Sequence, residues 1–119
     1  MAKDRRGLGR WGEEHARRYL LDRGCTQVAA NWRCAAGEVD LIVLDEGQLV
    51  FVEVRTRRGR AYGTPQESIT PKKLARMATV AQSYVYEQGW EGPWRLDAIA
   101  IELIPGAPPQ VEWYQNVSM

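Results

Sequence analysis

Residues 37–57, GEVDLIVLDEGQLVFVEVRTR, have the pattern of two strands around a tight turn, and this hairpin decides the fold. Glu46-Gly47 fits a two-residue loop, which sets a register in which Ile42 faces Phe51 and Asp40 faces Glu53. Because side chains alternate along a strand, one face of the hairpin is wholly apolar and must be buried. That face consists of Val39, Leu41, Val43, Val50, Val52 and Val54.

The other face of the hairpin carries Asp40 and Glu53 near its open end. Directly opposed residues have Cβ atoms about 4.5–5.5 Å apart, and two like charges that close destabilise a sheet. Either one carboxyl group is protonated, or a cation lies between them, or both simply reach solvent. A hard divalent ion with oxygen ligands is the simple form of the second alternative.

The length and charge distribution agree with one domain that combines acidic and basic regions. A chain of 119 residues predicts a single domain over 1–119. The net charge is only +1, but residues 24–54 carry one Arg against five acids, and residues 55–76 carry seven Lys/Arg against Glu67 alone. An acidic site beside a basic patch is compatible with a metal ion and a phosphate backbone.

Composition argues against several other classes of protein. His15 is the single histidine, and the two cysteines lack CxxC spacing, so a zinc site or a His-dependent triad is not expected. Any metal must therefore use oxygen ligands. The first residues lack an apolar signal core, and no run could span a membrane, so we expect a cytoplasmic protein with reduced thiols and no membrane association.

The remaining start and stop signals predict the other elements. Gly24 suits the end of a first helix, Thr70-Pro71 opens a second one, and Gly89 ends it. Thr64-Pro65-Gln66-Glu67 has the pattern of a capping box. We predict helices over 9–24 and 71–88 and strands over 26–33, 37–57 (the hairpin) and 94–103, with a possible last strand over 111–117. The order α-β-β-β-α-β predicts an α/β fold with one mixed sheet flanked by helices.

Glu13 is a third candidate acid, carried by the first helix. It shares a helix face with Gly9, Ala16 and Leu20, the small and apolar face expected to pack on the sheet. Near a helix start it could also serve the macrodipole. Glu14 is instead expected to pair with Arg18 on the solvated side.

Six features in order carry a family resemblance: a helix Glu, GEVD, FVEVRTR, a YG-containing loop, a Lys-bearing helix and RLD. From about residue 9 to residue 103 the chain resembles the YraN-like bacterial family, which looks like a small member of the PD-(D/E)xK nuclease superfamily. That superfamily is related in fold to archaeal Holliday-junction resolvases. The resemblance implies a restriction-endonuclease-like core, phosphodiester hydrolysis in nucleic acid with DNA expected, and a homodimer as in the relatives.

The resemblance also implies roles for four catalytic residues. Asp40 and Glu53 match the acids that hold Mg²⁺ or Mn²⁺, and Glu13 matches the helix-borne acid. Arg55 stands where the motif usually has Lys, and this is a departure. An arginine stays protonated and cannot act as a base, which leaves charge stabilisation of the phosphate or a cross-strand pair with Glu38.

Basic residues after the hairpin are expected to hold nucleic-acid phosphates without reading sequence. They are Arg57, Arg58, Arg60, Lys72, Lys73 and Arg76. Lys73 could instead offer an amine to the site or be a solvated first-turn residue. For Trp11 the alternatives are stacking on a base or packing on a neighbouring segment. Asp97 matches a family position and by default makes a structural hydrogen bond.

Two other functions stay open alongside the nuclease. The chain could be a catalytically impaired nucleic-acid-binding module, with activity lost at Arg55. It could also be a protein-interaction domain on the same fold, because fold alone does not determine function.

Overall fold

Two α-helices and five strands form the part of the chain described by the computed structural model, residues 2–59 and 63–117. In chain order they are α1 (Ala2–Asp22), β1 (Thr26–Cys34), β2 (Gly37–Asp45), β3 (Gln48–Arg58), α2 (Pro71–Gln88), β4 (Trp94–Leu103) and β5 (Gln110–Tyr114), with a 3₁₀ helix at Gln66–Ser68 before α2. The predicted α/β class and element order are confirmed, including the last strand.

The five strands form one mixed sheet in the order β1-β2-β3-β4-β5. Only β3 and β4 are parallel, and α2 makes the connection that parallel neighbours require. The predicted hairpin register is confirmed from Leu44↔Leu49 to Leu41↔Val52. Glu46 (φ 50°) and Gly47 (φ 83°) are both left-handed, as a two-residue hairpin turn of this type requires.

The sheet separates two hydrophobic clusters, one under each helix. Ala16 and Leu20 of α1 pack on a cluster that includes Val43, Val50 and Ile99. On the other face, residues of α2 pack around Phe51, whose ring meets Tyr84 and Trp94 edge-on with centroids 5.7 Å away in both cases. Each helix is therefore fixed to the sheet through its apolar face, which determines where its polar residues lie.

Val39 lies on the opposite face from the one predicted. It packs in the α2 cluster with Ile42, whereas Leu41 lies in the α1 cluster. The alternation breaks at Asp40, where the β2–β3 ladder has already ended and the Asp40 carboxylate, not its backbone, accepts the Val54 N–H at 2.8 Å. The alternation of side chains along β2 thus breaks at Asp40, a residue of the candidate site.

Several element ends differ from the sequence predictions. Helix α1 begins at Ala2 and not at residue 9, and it includes Gly7, Gly9 and Gly12. Strand β5 ends at Tyr114, and after the left-handed Asn116 the Val117 N–H still donates to the Leu96 carbonyl of β4 at 2.7 Å. The capping box forms its reciprocal bonds between Thr64 and Glu67, but only around the short 3₁₀ helix, and Thr70 caps α2 by accepting the Lys73 N–H at 3.2 Å.

Within residues 2–59 and 63–117, neither helix has the length and apolar character needed to cross a membrane.

Candidate functional site

A cavity of about 470 Å³ lies where α1, β2, β3 and α2 meet. Its ionisable lining falls into two groups. The acidic cluster consists of Glu13, Glu38, Asp40 and Glu53. The basic cluster consists of Arg55, Arg57, Lys73 and Arg76. The structure therefore brings all four predicted catalytic residues to one cavity, together with three of the predicted phosphate-binding bases.

Asp40 occupies the point at which β2 separates from β3. The predicted Asp40–Glu53 strand pair is not formed, because the ladder ends one residue earlier, at Leu41↔Val52. The two side chains nevertheless meet and share a hydrogen bond. Burial raises the pKa of Asp40, while the Val54 N–H and the Arg55 charge oppose that shift.

Glu53 is the acid with the most perturbed pKa in the cavity. Burial, and then the neighbouring Asp40 charge, raise the pKa of Glu53 to about 7. Because Glu53 then titrates near neutral pH, the pair keeps a proton below about pH 7 and loses it above that pH. This is the first of the alternatives that the sequence left open, and it describes the site before any cation binds.

Glu13 reaches the cavity because α1 approaches β3 closely. A Cβ on Gly12 would lie 2.0 Å from Thr56 Oγ1, so only glycine permits this approach. Burial and then the Asp40 charge raise the pKa of Glu13. Glu14, on the solvated side, pairs with Arg18 as predicted and also with Arg17.

Arg55 forms its ion pair with Glu53. The alternative pair with Glu38 is wrong: Glu38 is bound by Arg33 at 3.4 Å, and no ion pair joins it to Arg55 within the described part of the chain. The difference follows from the side chains' reach along one strand, because Arg55 and Glu53 lie two residues apart on the same face of β3. Arg55 therefore contacts the Asp40–Glu53 pair directly, through its ion pair with Glu53.

The other predicted bases divide into two sets. Arg57, Lys73 and Arg76 line the cavity, whereas Arg58 and Lys72 are exposed and do not. Arg60 lies outside the described residues. Burial and the nearby Arg55 charge lower the pKa of Lys73. The Nε atoms of Arg55 and Arg57 are buried and have no hydrogen-bond partner among residues 2–59 and 63–117, so each could donate to an anionic ligand only after its side chain shifts.

A divalent ion fits the carboxylates, although no group of three or more acidic, His or Cys side chains is close enough to hold one among residues 2–59 and 63–117. Mg²⁺ keeps several waters and commonly uses one or two carboxylates together with substrate phosphates. Asp40 and Glu53 supply such a pair, and burial raises the pKa of both groups, so a bound cation would favour their ionised forms.

Asp97 and Trp11, for which the sequence leaves alternatives open, do not line the cavity. Asp97 is fully buried and accepts hydrogen bonds from Arg95, Trp113 and the Asn116 N–H, so its structural role is confirmed. Trp11 remains partly exposed and stacks on His15 of the same helix with ring centroids 4.8 Å apart, and the two alternatives for it stay predictions.

Sequence reasoning missed Glu38, Gly12 and Asn31. Glu38 gave a usable signal, because it shares the predicted strand face with Asp40. The only sequence signal for Gly12 was its position next to Glu13. Asn31 lies in a predicted strand; its contact with Glu38 depends on the pairing of β1 with β2, and its contact with Glu13 depends on the packing of α1 against the sheet.

The fold and the cavity define a class of small mixed α/β proteins in which an acidic and a basic cluster share one site. The chain belongs to the uncharacterised protein family UPF0102, whose model matches residues 12–101, and the YraN-like resemblance is thereby confirmed. A UPF0102 protein of Herpetosiphon aurantiacus is 47% identical over 124 residues, covering 100% of this chain and 99% of its own length. One from Nocardia farcinica is 44% identical over 117 residues, covering 96% and 91%.

Proposed function

We propose that this protein is a metal-dependent endonuclease of the PD-(D/E)xK type, which hydrolyses phosphodiester bonds in nucleic acid, with DNA as the expected substrate. The observation that carries the proposal is the Asp40–Glu53 pair, two carboxyl groups held together beside a basic cluster. Both groups have raised pKa values, so the pair costs the fold stability when ionised. Sites of this kind are candidates for function.

Mg²⁺ or Mn²⁺ is the cofactor that the oxygen ligands fit. Asp40 and Glu53 would hold the ion, and Glu13 faces Asp40 from α1. When bound, a divalent ion supplies Lewis acidity toward a phosphate oxygen. Glu13 would accept a hydrogen bond from a water molecule on the ion.

The basic cluster supplies the contacts to substrate. Arg55 places a permanent positive charge beside Glu53, where it can stabilise the negative charge that develops on the phosphate. It cannot accept a proton from water. Arg57, Lys73 and Arg76 line the same cavity and would hold flanking phosphates. Such contacts orient a strand without selecting its sequence.

A cleavage assay tests the proposal directly. Supercoiled, single-stranded and branched DNA are incubated with the protein in Mg²⁺, Mn²⁺ or EDTA. We expect cleavage that needs the metal and is abolished by Asp40→Asn. Neighbouring acids on α1 give a matched pair: Glu13→Gln should slow cleavage by roughly 10²-fold or more, and Glu14→Gln should leave it within about twofold. The proposal is refuted if no substrate is cleaved or if Asp40→Asn cleaves like the parent.

A binding module without catalysis is the second candidate, and the Arg55–Glu53 ion pair is the observation that favours it. An arginine in this place neutralises a metal-binding carboxylate and offers no base. Arg55→Lys restores the usual motif and separates the two functions. If the parent binds DNA without cleaving it and Arg55→Lys cleaves, the natural protein is a binding module. If the parent cleaves and Arg55→Ala lowers the rate by about 10²–10³-fold, Arg55 is the charge stabiliser.

A further inference from the structure

Asn31 has a backbone conformation that is uncommon inside a strand. Its φ is 52°, although Ala30 and Trp32 on either side both pair with β2. A residue other than glycine adopts this left-handed conformation at a cost, and it persists only where surrounding contacts determine it. Asparagine tolerates it better than most residues. The contacts of the Asn31 side chain therefore account for its positive φ.

The Asn31 side chain lies between two carboxylates of the acidic cluster. With the amide oriented so that its nitrogen faces them, Asn31 donates to Glu13 Oε1 at 3.1 Å and to Glu38 Oε2 at 3.3 Å. This orientation is assigned from the hydrogen bonds, because the opposite one would direct the amide oxygen toward acceptors alone. One amide thus connects an acid on α1 with an acid on β2.

We infer that Asn31 is a positioning residue that holds the Glu13 carboxylate toward Asp40. Glu13 lies within hydrogen-bonding reach of Asp40, but the Asp40 and Glu38 charges repel its ionised form and favour its rotation toward solvent where no donor opposes it. A neutral amide opposes that rotation without adding a positive charge that would compete with a cation. Hydrogen-bonded groups around a metal site commonly fix the orientation of the side chains in it, and their loss commonly weakens metal binding. The effect of Asn31 on metal binding rests on the proposed function, whereas its hydrogen bond to Glu13 does not.

Asn31→Gly is the variant that removes the amide while keeping a residue suited to the backbone. Asn116→Gly is its matched control, because Asn116 also has a positive φ (56°) but lies beside Asp97, which accepts its backbone N–H. The readout is the dissociation constant for Mn²⁺, measured by electron paramagnetic resonance on the full chain. We expect Asn31→Gly to weaken binding by roughly 10–100-fold and Asn116→Gly to leave it within about twofold.

A double-mutant cycle separates positioning from a general structural effect. If Asn31 acts through Glu13, Asn31→Gly causes no further loss of Mn²⁺ affinity in a Glu13→Gln background. Equal losses in both backgrounds, or an Asn31→Gly protein that binds like the parent, would overturn the inference.

If the parent binds no Mn²⁺, the proposed metal site is refuted. A second measurement tests the hydrogen bond in that case, and also if Asn31→Gly does not fold. The side-chain NH₂ signals of Asn31 are recorded by NMR in the parent and in Glu13→Gln, with Glu14→Gln as control. A shift of these signals in Glu13→Gln alone supports the hydrogen bond to Glu13. Signals that do not move in Glu13→Gln overturn it, whatever the protein binds.

Discussion

Glu53→Gln should stabilise the metal-free protein at alkaline pH, because it replaces a carboxylate that the fold tolerates poorly. Burial and the Asp40 charge raise the pKa of Glu53 from 4.5 to about 7. Its side chain is only 15% exposed, so solvent screens this shift weakly. At 1.36 kcal/mol for each pKa unit, ionised Glu53 costs the folded state up to about 3 kcal/mol.

The sign of this effect follows from the raised pKa. The stability associated with protonated Glu53 is fully present below its unfolded pKa of 4.5 and is lost as the pH rises to about 7. Glutamine resembles the protonated form and does not titrate. Relative to the parent, Glu53→Gln should therefore gain about 2 kcal/mol between about pH 5 and pH 8.

Urea unfolding followed by tryptophan fluorescence in EDTA measures this gain. The comparison of two pH values cancels any pH-independent effect of the amide. Glu14→Gln is the control: Arg17 and Arg18 lower the pKa of Glu14 to about 2, so its removal should not change the pH dependence over this range. A Glu53→Gln protein whose stability difference from the parent is the same at both pH values would refute the raised pKa and the reasoning built on it.

The remaining predictions use neighbouring residues as controls. Gly12→Ala places a Cβ 2.0 Å from Thr56 Oγ1, and this overpacking should cost about 1–3 kcal/mol in thermal unfolding. Gly7→Ala, with nothing within 4 Å, should be neutral or stabilising, so equal losses in both variants would contradict the close approach of α1. Arg57→Ala should reduce the salt dependence of DNA binding by about one phosphate contact, whereas Arg58→Ala should not. Identical slopes for these two variants would show that the cavity is not the phosphate-binding surface.

The hairpin could be predicted because its determinants are local. Glu46-Gly47 adopts the turn that fixes the register, and the apolar pattern beyond it places Ile42 and Leu41 on opposite faces. The same reasoning failed at Val39. The prediction of strict side-chain alternation assumes that the backbone hydrogen bonds between β2 and β3 continue to the end of the strand. The Asp40 side chain interrupts them by accepting the Val54 N–H.

The acids of the site were predictable as residue types, but the connections among them were not. Asp40, Glu53 and Glu13 follow from strand and helix periodicity. The Arg55–Glu53 pair and the Asn31 bridge depend on rotamers and on how α1 lies against the sheet, which no spacing encodes. Lys73 and Lys72 are adjacent in sequence, and only the helix rotation decides which of them lines the cavity.

Calorimetric titration with Mn²⁺ at about pH 6, in two buffers of different ionisation enthalpy, tests most directly whether the Asp40–Glu53 pair is a cation site. Below the Glu53 pKa of about 7 the pair holds a proton that a bound ion must displace. We predict one ion per chain, release of close to one proton, and loss of both in Asp40→Asn. The absence of saturable binding, or binding without proton release that persists in Asp40→Asn, would contradict the account.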